Sequence, residues 1–270
     1  MPGTLRKAWA FIKRDFQSES SYKLNYFLHV ASSLLWIVLF YFLSRIVDSS
    51  QASLAKYGGN YFSFVLIGLA FSRYFQVALG VFSGSIQRAQ ATGCLEAMLS
   101  TQTSPQACVL FSSLYALLES MVQLAIVLIA GVLFFQVDFT QANIPAALTI
   151  FVLALLTFVS LGVMSAAGIV VLKKGDPVGW ILTSASMILG GAYFPIEVMP
   201  GWLQAIAKII PATYALDALR LTMLRGHGLG DVSSQVLILG GMVLVLLPVS
   251  LRLFDMAVNI AKKDGTLAQY

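Results

Sequence analysis

Two charges stand inside long apolar stretches of this 270-residue chain: Arg73, within about residues 60–84, and Glu119, within about 107–135. Either one costs about 2.5–3.5 kcal/mol to place at the centre of a bilayer, so each should face protein or water. Two readings of the pair stay open: a buried ion pair that fixes helix register, or a contact for a bound substrate. A catalytic role would need polar groups converging on one point, yet Arg73, Glu119 and His29 fall singly on different stretches. No G-x-x-x-x-G-K followed by Ser or Thr occurs, so ATP hydrolysis is not expected of this chain itself. Gly226-His227-Gly228-Leu229-Gly230 lacks the strand context of a nucleotide-binding turn. Neither H-E-x-x-H nor G-x-S-x-G is present, and Cys94 and Cys108 have no metal-ligand company. No catalytic residue and no metal site is expected.

The elements that carry these charges follow from composition. Of the residues 58% are apolar and only 11% charged, with mean hydropathy +0.83. A soluble domain carries roughly 25% charged residues to solvate its surface, so the solvent around this chain is largely hydrocarbon. The fold class expected is all-α and integral to the membrane, with six spans. They fall at 24–44, about 60–84, about 107–135, within 139–172, about 178–194 and about 232–252. One transmembrane domain over 1–270 is expected: an interfacial helix at 1–22, a bundle at 24–254 and a tail at 255–270. Arg6, Lys7, Lys13, Arg14, Lys23, Arg88, Lys173, Lys174, Arg252, Lys262 and Lys263 then fall on one side, against Arg45, Lys56, Lys208, Arg220 and Arg225 on the other. The bias puts both termini in the cytoplasm of a multi-pass inner-membrane protein. The net charge of +5 lies beside the spans, which explains it through lipid headgroups without nucleic acid.

Three segments outside the spans have mechanical character. Leu5, Trp9, Ile12 and Phe16 share one helical face among basic residues, the pattern of an amphipathic helix in the interface, as an anchor or as a moving part. After span two, Gly93 permits a turn, and Leu95, Met98 and Leu99 form an apolar face with Glu96 beside it. Such a helix suits a groove on a partner protein, or lies as a loop on the membrane surface. After span five, Pro195 and Pro200 end the helix and Pro211 divides the rest into two short helices, with Trp202 and Tyr214 at headgroup depth. Broken backbone at membrane depth must line protein or water, which makes this segment a lid or exit gate.

The run Phe-Pro-Ile-Glu-Val-Met-Pro-Gly-Trp-Leu at 194–203 resembles the signature of ABC-2 type permeases. So does Ile-Pro-Ala-Thr-Tyr-Ala-Leu-Asp-Ala-Leu-Arg at 210–220, and Gly93-Cys94-Leu95-Glu96 is similar to the family's coupling segment. The resemblance implies the membrane-spanning subunit of an ATP-driven exporter. It would pair with a second copy or a homologous permease and sit on two ABC ATPase subunits, which alone bind ATP and Mg. Glu96 would transmit the ATPase motion, with Gly93, Leu95, Met98 and Leu99 around it. Pro195, Glu197, Pro200, Trp202, Pro211, Tyr214, Asp217 and Arg220 would shape extracellular re-entrant helices between spans five and six. Ile210 departs from the family, where Asn often precedes the proline. The cargo implied is a lipid, a hydrophobic drug or a lipid-linked glycan. A secondary carrier, a membrane scaffold or an intramembrane enzyme are the alternatives, and a secondary carrier commonly shows paired broken helices where this sequence has one.

Overall fold

In hydrocarbon a backbone must satisfy its own hydrogen bonds, and uninterrupted apolar runs do so as α-helices. The computed structural model describes residues 6, 9–14, 16–17, 23–46, 52–91, 105–172 and 176–263. The helices are α1 (Lys23–Ser44), α2 (Ala52–Ala55), α3 (Tyr61–Ala91), α4 (Pro105–Phe135), α5 (Ile144–Leu172), α6 (Pro177–Leu189), α7 (Gly201–Ala207), α8 (Pro211–Leu224) and α9 (Ser233–Lys263), with a 3-10 turn at Ile196–Val198. Among the described residues, four stretches are long and apolar enough to cross a membrane: Tyr61–Arg88, Leu110–Phe135, Ile144–Val171 and Ser233–Ala261. Helix α6, with 13 residues, spans only about 20 Å.

Helices α3 and α5 form the centre. The first packs on α4 and α5, the second also on α9, and α8 is wedged among α3, α5 and α9. Their close approach rests on Gly162, where a Cβ would fall 2.5 Å from the Leu79 carbonyl of α3. Phe75 and Phe158 stack across the same interface with centroids 4.7 Å apart. The α3–α4 register is set by Phe62 on Phe135 at 5.1 Å and by Leu66 seated over Gly131. Helix α1 is attached through buried Ile37 and Phe40, through Leu34, and through Tyr41, whose ring meets Phe62 and Phe135. Leu24, Phe27, Leu28, Leu35 and Trp36 of α1 are exposed.

Local chemistry sets several boundaries. Asn143 accepts a hydrogen bond from the Ala146 N–H (3.2 Å) and opens α5, with Pro145 in its first turn. Asp176 caps α6 by accepting from the Gly179 N–H (2.7 Å), and the Ser165 hydroxyl of α5 donates to the same carboxylate. That carboxylate joins two helices across a turn.

Two boundaries differ from expectation. The fifth helix stops at Leu189 rather than near 194, because Gly190 caps it on the Ser186 carbonyl and Gly191 turns left-handed at φ 76 before any proline is reached. The sixth helix runs through Pro248 to Lys263 rather than ending near 252. Residues 255–263 are therefore bundle rather than tail: Phe254, Ala257, Val258 and Ala261 are buried in one cluster with Val81, Phe82, Ile86 and Val170. A proline removes one backbone bond, and burial of that periodic face outweighs the loss. In the N-terminal segment, residues 9–14 are helical, and Phe11 and Phe16 lie against Phe111 and Tyr115 of α4. Trp9 of the expected apolar face is exposed.

Candidate functional site

The end of the bundle that holds residues 45–46, 52–60, 136–143 and 190–232 is closed by the segment between α6 and α9; this is the capped end. The left-handed Gly191 sends the chain sideways out of α6. Pro195 and Pro200 lead into the 3-10 turn and α7, and Pro211 opens α8 as its first residue. Ile210 supplies no side-chain cap there. Instead the first turn of α8 closes α7: the Thr213 hydroxyl donates to the Ala207 carbonyl and the Tyr214 hydroxyl to the Lys208 carbonyl, both at 2.7 Å. Gln204 donates to the Met199 carbonyl at 2.8 Å, which holds the turn before α7. The two short helices thus form one stiff hairpin. Glu197 and Trp202 are exposed on it, while Pro195 and Pro211 are buried.

Arg220 fixes that hairpin to the bundle. It is only 2% exposed, although among the described residues no carboxylate forms an ion pair with it. Its Nε donates to the Phe64 carbonyl (3.1 Å), and one Nη donates to the carbonyls of Gly191 (2.9 Å) and Ala192 (3.1 Å). The guanidinium lies 3.5 Å from the centre of the Phe64 ring, a close cation–π contact. Gly68 makes the room: a Cβ there would meet the Ala192 carbonyl at 2.1 Å and the Arg220 Nη at 2.4 Å. A forked, permanently charged donor satisfies carbonyls that the break between α6 and α7 leaves unpaired.

Asp217, one turn earlier on α8, reaches the opposite way. One oxygen accepts from Lys56 Nζ and from the Tyr57 hydroxyl, each at 2.6 Å. The other accepts from Gln235 Nε2 of α9 at 2.7 Å. Burial pushes this carboxyl upward in pKa, yet the three hydrogen bonds outweigh it and leave Asp217 below the usual carboxylate range. Burial, then Asp217 itself, pushes the Tyr57 hydroxyl up, so it stays a donor. Around this core, the Tyr61 hydroxyl donates to the Tyr193 carbonyl (3.1 Å) and Phe40 of α1 stacks on Tyr193 (5.5 Å). Helices α1, α3, α8 and α9 and the 52–60 loop therefore meet at the capped end through side chains of the hairpin.

The residues missed by sequence reasoning are Lys56, Tyr57, Gly68, Tyr193 and Gln235. Lys56 carried a faint signal, since it is a basic residue on the side otherwise poor in them. Its partner lies 161 positions away, where no local pattern reaches.

The intramembrane charges are not brought together. The Phe62–Phe135 and Leu66–Gly131 contacts set Arg73 level with Leu124 and Glu119 level with Ala78, an offset of about 7 Å along the axis. Arg73 is exposed and makes no hydrogen bond or ion pair among the described residues. Glu119 is half-buried and accepts from Gln123 of its own helix at 3.4 Å. Further along α3 lies a recess of about 560 Å³ lined by Val77, Gly80, Val81, Gly84, Gln87 and Arg88, with Ala116 of α4; Arg73 is not among its lining residues. Gly93, Leu95, Glu96, Met98 and Leu99 lie outside the described residues, as does the side chain of His29.

An all-helical bundle with four bilayer-length apolar helices, sealed at one end by a buried helix, defines an integral membrane protein. The chain belongs to the ABC-2 type transporter family, whose model matches residues 6–224. The match adds a transporter family to the membrane class that the four apolar helices define. The chain is similar to the linearmycin resistance permease protein LnrN of Bacillus subtilis (strain 168), 32% identical over 89 residues. That alignment covers 33% of this chain and 23% of the relative's length.

Proposed function

We propose that this permease is the six-pass membrane subunit of an exporter, with both termini cytoplasmic and the capped end outward in the inner membrane. The observation that carries the reading is the locked hairpin: helix α8 is buried on nearly all sides and held by Arg220 and Asp217 at one end only. A seal fixed at one face is what the outward-closed state of an alternating-access transporter requires. Helices α1 and α6, the two too short by apolar length alone, count as spans because the hairpin completes the thickness beside α6. The excess of Lys and Arg at the end opposite the hairpin supports the orientation.

In this reading two such permeases, copies or homologues, stand on two ATPase subunits that bind ATP and Mg. The ATPase motion enters through Gly93, Leu95, Glu96, Met98 and Leu99 and ends at the hairpin. The cargo is an amphipathic or lipid-linked compound; that the relative is named a resistance permease supports an outward direction. Purification in mild detergent tests the assembly: an ATPase of the Walker type should co-purify, and its absence counts against the reading. Substrate-stimulated ATPase activity of the reconstituted complex, across lipids, drugs and lipid-linked glycans, identifies the cargo. Glu96→Lys should abolish export while the protein still inserts; unchanged export removes Glu96 from the coupling path.

A further inference from the structure

Residues 52–60 form a strap across the capped end, built around the short helix α2. The strap bonds its own backbone. The N–H groups of Tyr57, Gly58 and Gly59 donate to the carbonyls of Leu54, Ala55 and Leu54 at 2.9, 3.3 and 2.9 Å. Asn60 belongs to the next element: its side chain accepts from the Ser63 N–H (3.2 Å) and its carbonyl from the Phe64 N–H (3.1 Å), which closes the start of α3. Between the two units stand Gly58 and Gly59, both left-handed, at φ 98 and 75. A Cβ on Gly59 would meet nothing within 4 Å, and one on Gly58 only the Arg225 Cδ at 4.0 Å. Gly59 is therefore a pivot. Turning there breaks no backbone bond of the strap and none of α3.

Side chains hold the strap down. Leu54 and Tyr57 are 1% and 5% exposed, and the Tyr57 ring lies 5.1 Å from that of Phe64. The Arg220 guanidinium reaches both rings, 3.5 Å from the Phe64 centroid and 5.8 Å from that of Tyr57. The strap thus helps to shield the residue that locks the hairpin. Its polar fastening converges on one carboxylate, since Asp217 takes both Lys56 and the Tyr57 hydroxyl. Lys56 is about half exposed, so water competes for its bond. A further tie, from Arg225 to the Ala55 carbonyl, is long at 3.4 Å. A unit with a complete backbone, a free pivot and one carboxylate as its clasp is fitted to detach as a whole.

We propose that the strap is a latch over the Arg220 lock: it swings on Gly59 and lifts Leu54 and Tyr57 away before Arg220 lets go of the hairpin. The inference rests on the transporter reading for its purpose, an ordered opening of the capped end, but the motion is measurable on the full chain alone. In lipid nanodiscs, with Cys94 and Cys108 replaced by Ser, Leu54→Cys reports the latch through its rate of reaction with an impermeant maleimide. Lys56→Gln together with Tyr57→Phe removes both bonds to Asp217 and should speed that reaction roughly tenfold. Ala215→Cys of α8, also buried, should stay slow in the same variant, because the hairpin remains locked. Spin labels at exposed Ala55 and Ser234 repeat the test without a buried substitution, and the double variant should add a second, longer distance. Should Leu54→Cys react fast by itself, these distances decide. An unchanged rate or an unchanged distance overturns the proposal, since burial alone would then hold the strap. Equal acceleration at Ala215→Cys overturns it too, because the whole end would be loosening. Where the ATPase co-purifies, ATP and Mg should speed the Leu54→Cys reaction with Lys56 and Tyr57 in place. No change there removes the latch from the cycle and leaves the transporter reading intact. If no ATPase accompanies the protein, the transporter reading falls and the latch stands on its variants.

Discussion

Arg220 and Asp217 sit three residues apart on α8 and do different work. Arg220 replaces water for three carbonyls and rests on an aromatic face, so its loss leaves buried acceptors unpaired. Arg220→Ala should lower stability by about 3–5 kcal/mol, the range for breaking a buried charged contact, read as thermal unfolding in detergent. Arg220→Lys should recover less than half, because an ammonium cannot fork between Phe64 and the Gly191–Ala192 pair. Asp217 is milder. Lys56 is about half exposed, so that ion pair contributes no more than about 1 kcal/mol, and the Tyr57 and Gln235 bonds dominate. Since the folded carboxyl is held below its unfolded value, its contribution is present above about pH 4 and is lost as pH falls through the lower folded value. Asp217→Asn should therefore be less stable at pH 7 and lose less on acidification below pH 4, as melting curves across pH would reveal.

At the scale of elements, boundaries made by neighbouring residues were legible and those made across the bundle were not. Pro145, Asp176–Pro177 and Pro211 act within a turn of themselves, so helix starts at α5, α6 and α8 could be read directly. The end of α6 was misassigned because two prolines drew attention from the Gly190–Gly191 pair that stops the helix first. The end of α9 was misassigned because the charge of Arg252 was taken to lie beyond the span, while the burial of Phe254, Ala257, Val258 and Ala261 depends on α3 and α5. Asp217 and Arg220 were found by resemblance, but their partners come from 18 to 161 residues away, beyond any spacing rule. The fit of the hairpin onto α3 gives a clean test. Gly68→Ala should push the Ala192 carbonyl off α3 and cost about 1–3 kcal/mol, an overpacking effect measurable in the same melting assay. Unchanged stability would mean that the hairpin is not seated on Gly68.

For the whole molecule, the connections alternate between two ends, and the side-chain ties among the described residues gather at the capped one. The orientation proposed above predicts labelling in intact cells. A cysteine replacing Glu197 should react with an impermeant maleimide added outside, and one replacing Lys263 only after the membrane is opened; the reverse pattern would invert the protein. Helix α1 is fastened where Ile37, Phe40 and Tyr41 meet the hairpin and α3, while Leu24, Phe27 and Leu28 toward its other end are exposed. A rod of 22 residues pinned at its rim is a lever with a long arm: a tilt of about 6° at the aromatic fulcrum swings the far tip by about 3 Å. Small rotations of the seal are thereby magnified into gaps through which a membrane-borne molecule could slip sideways. Spin labels at Leu28 and Leu118 should accordingly report a broader distance distribution than labels at Leu39 and Val132.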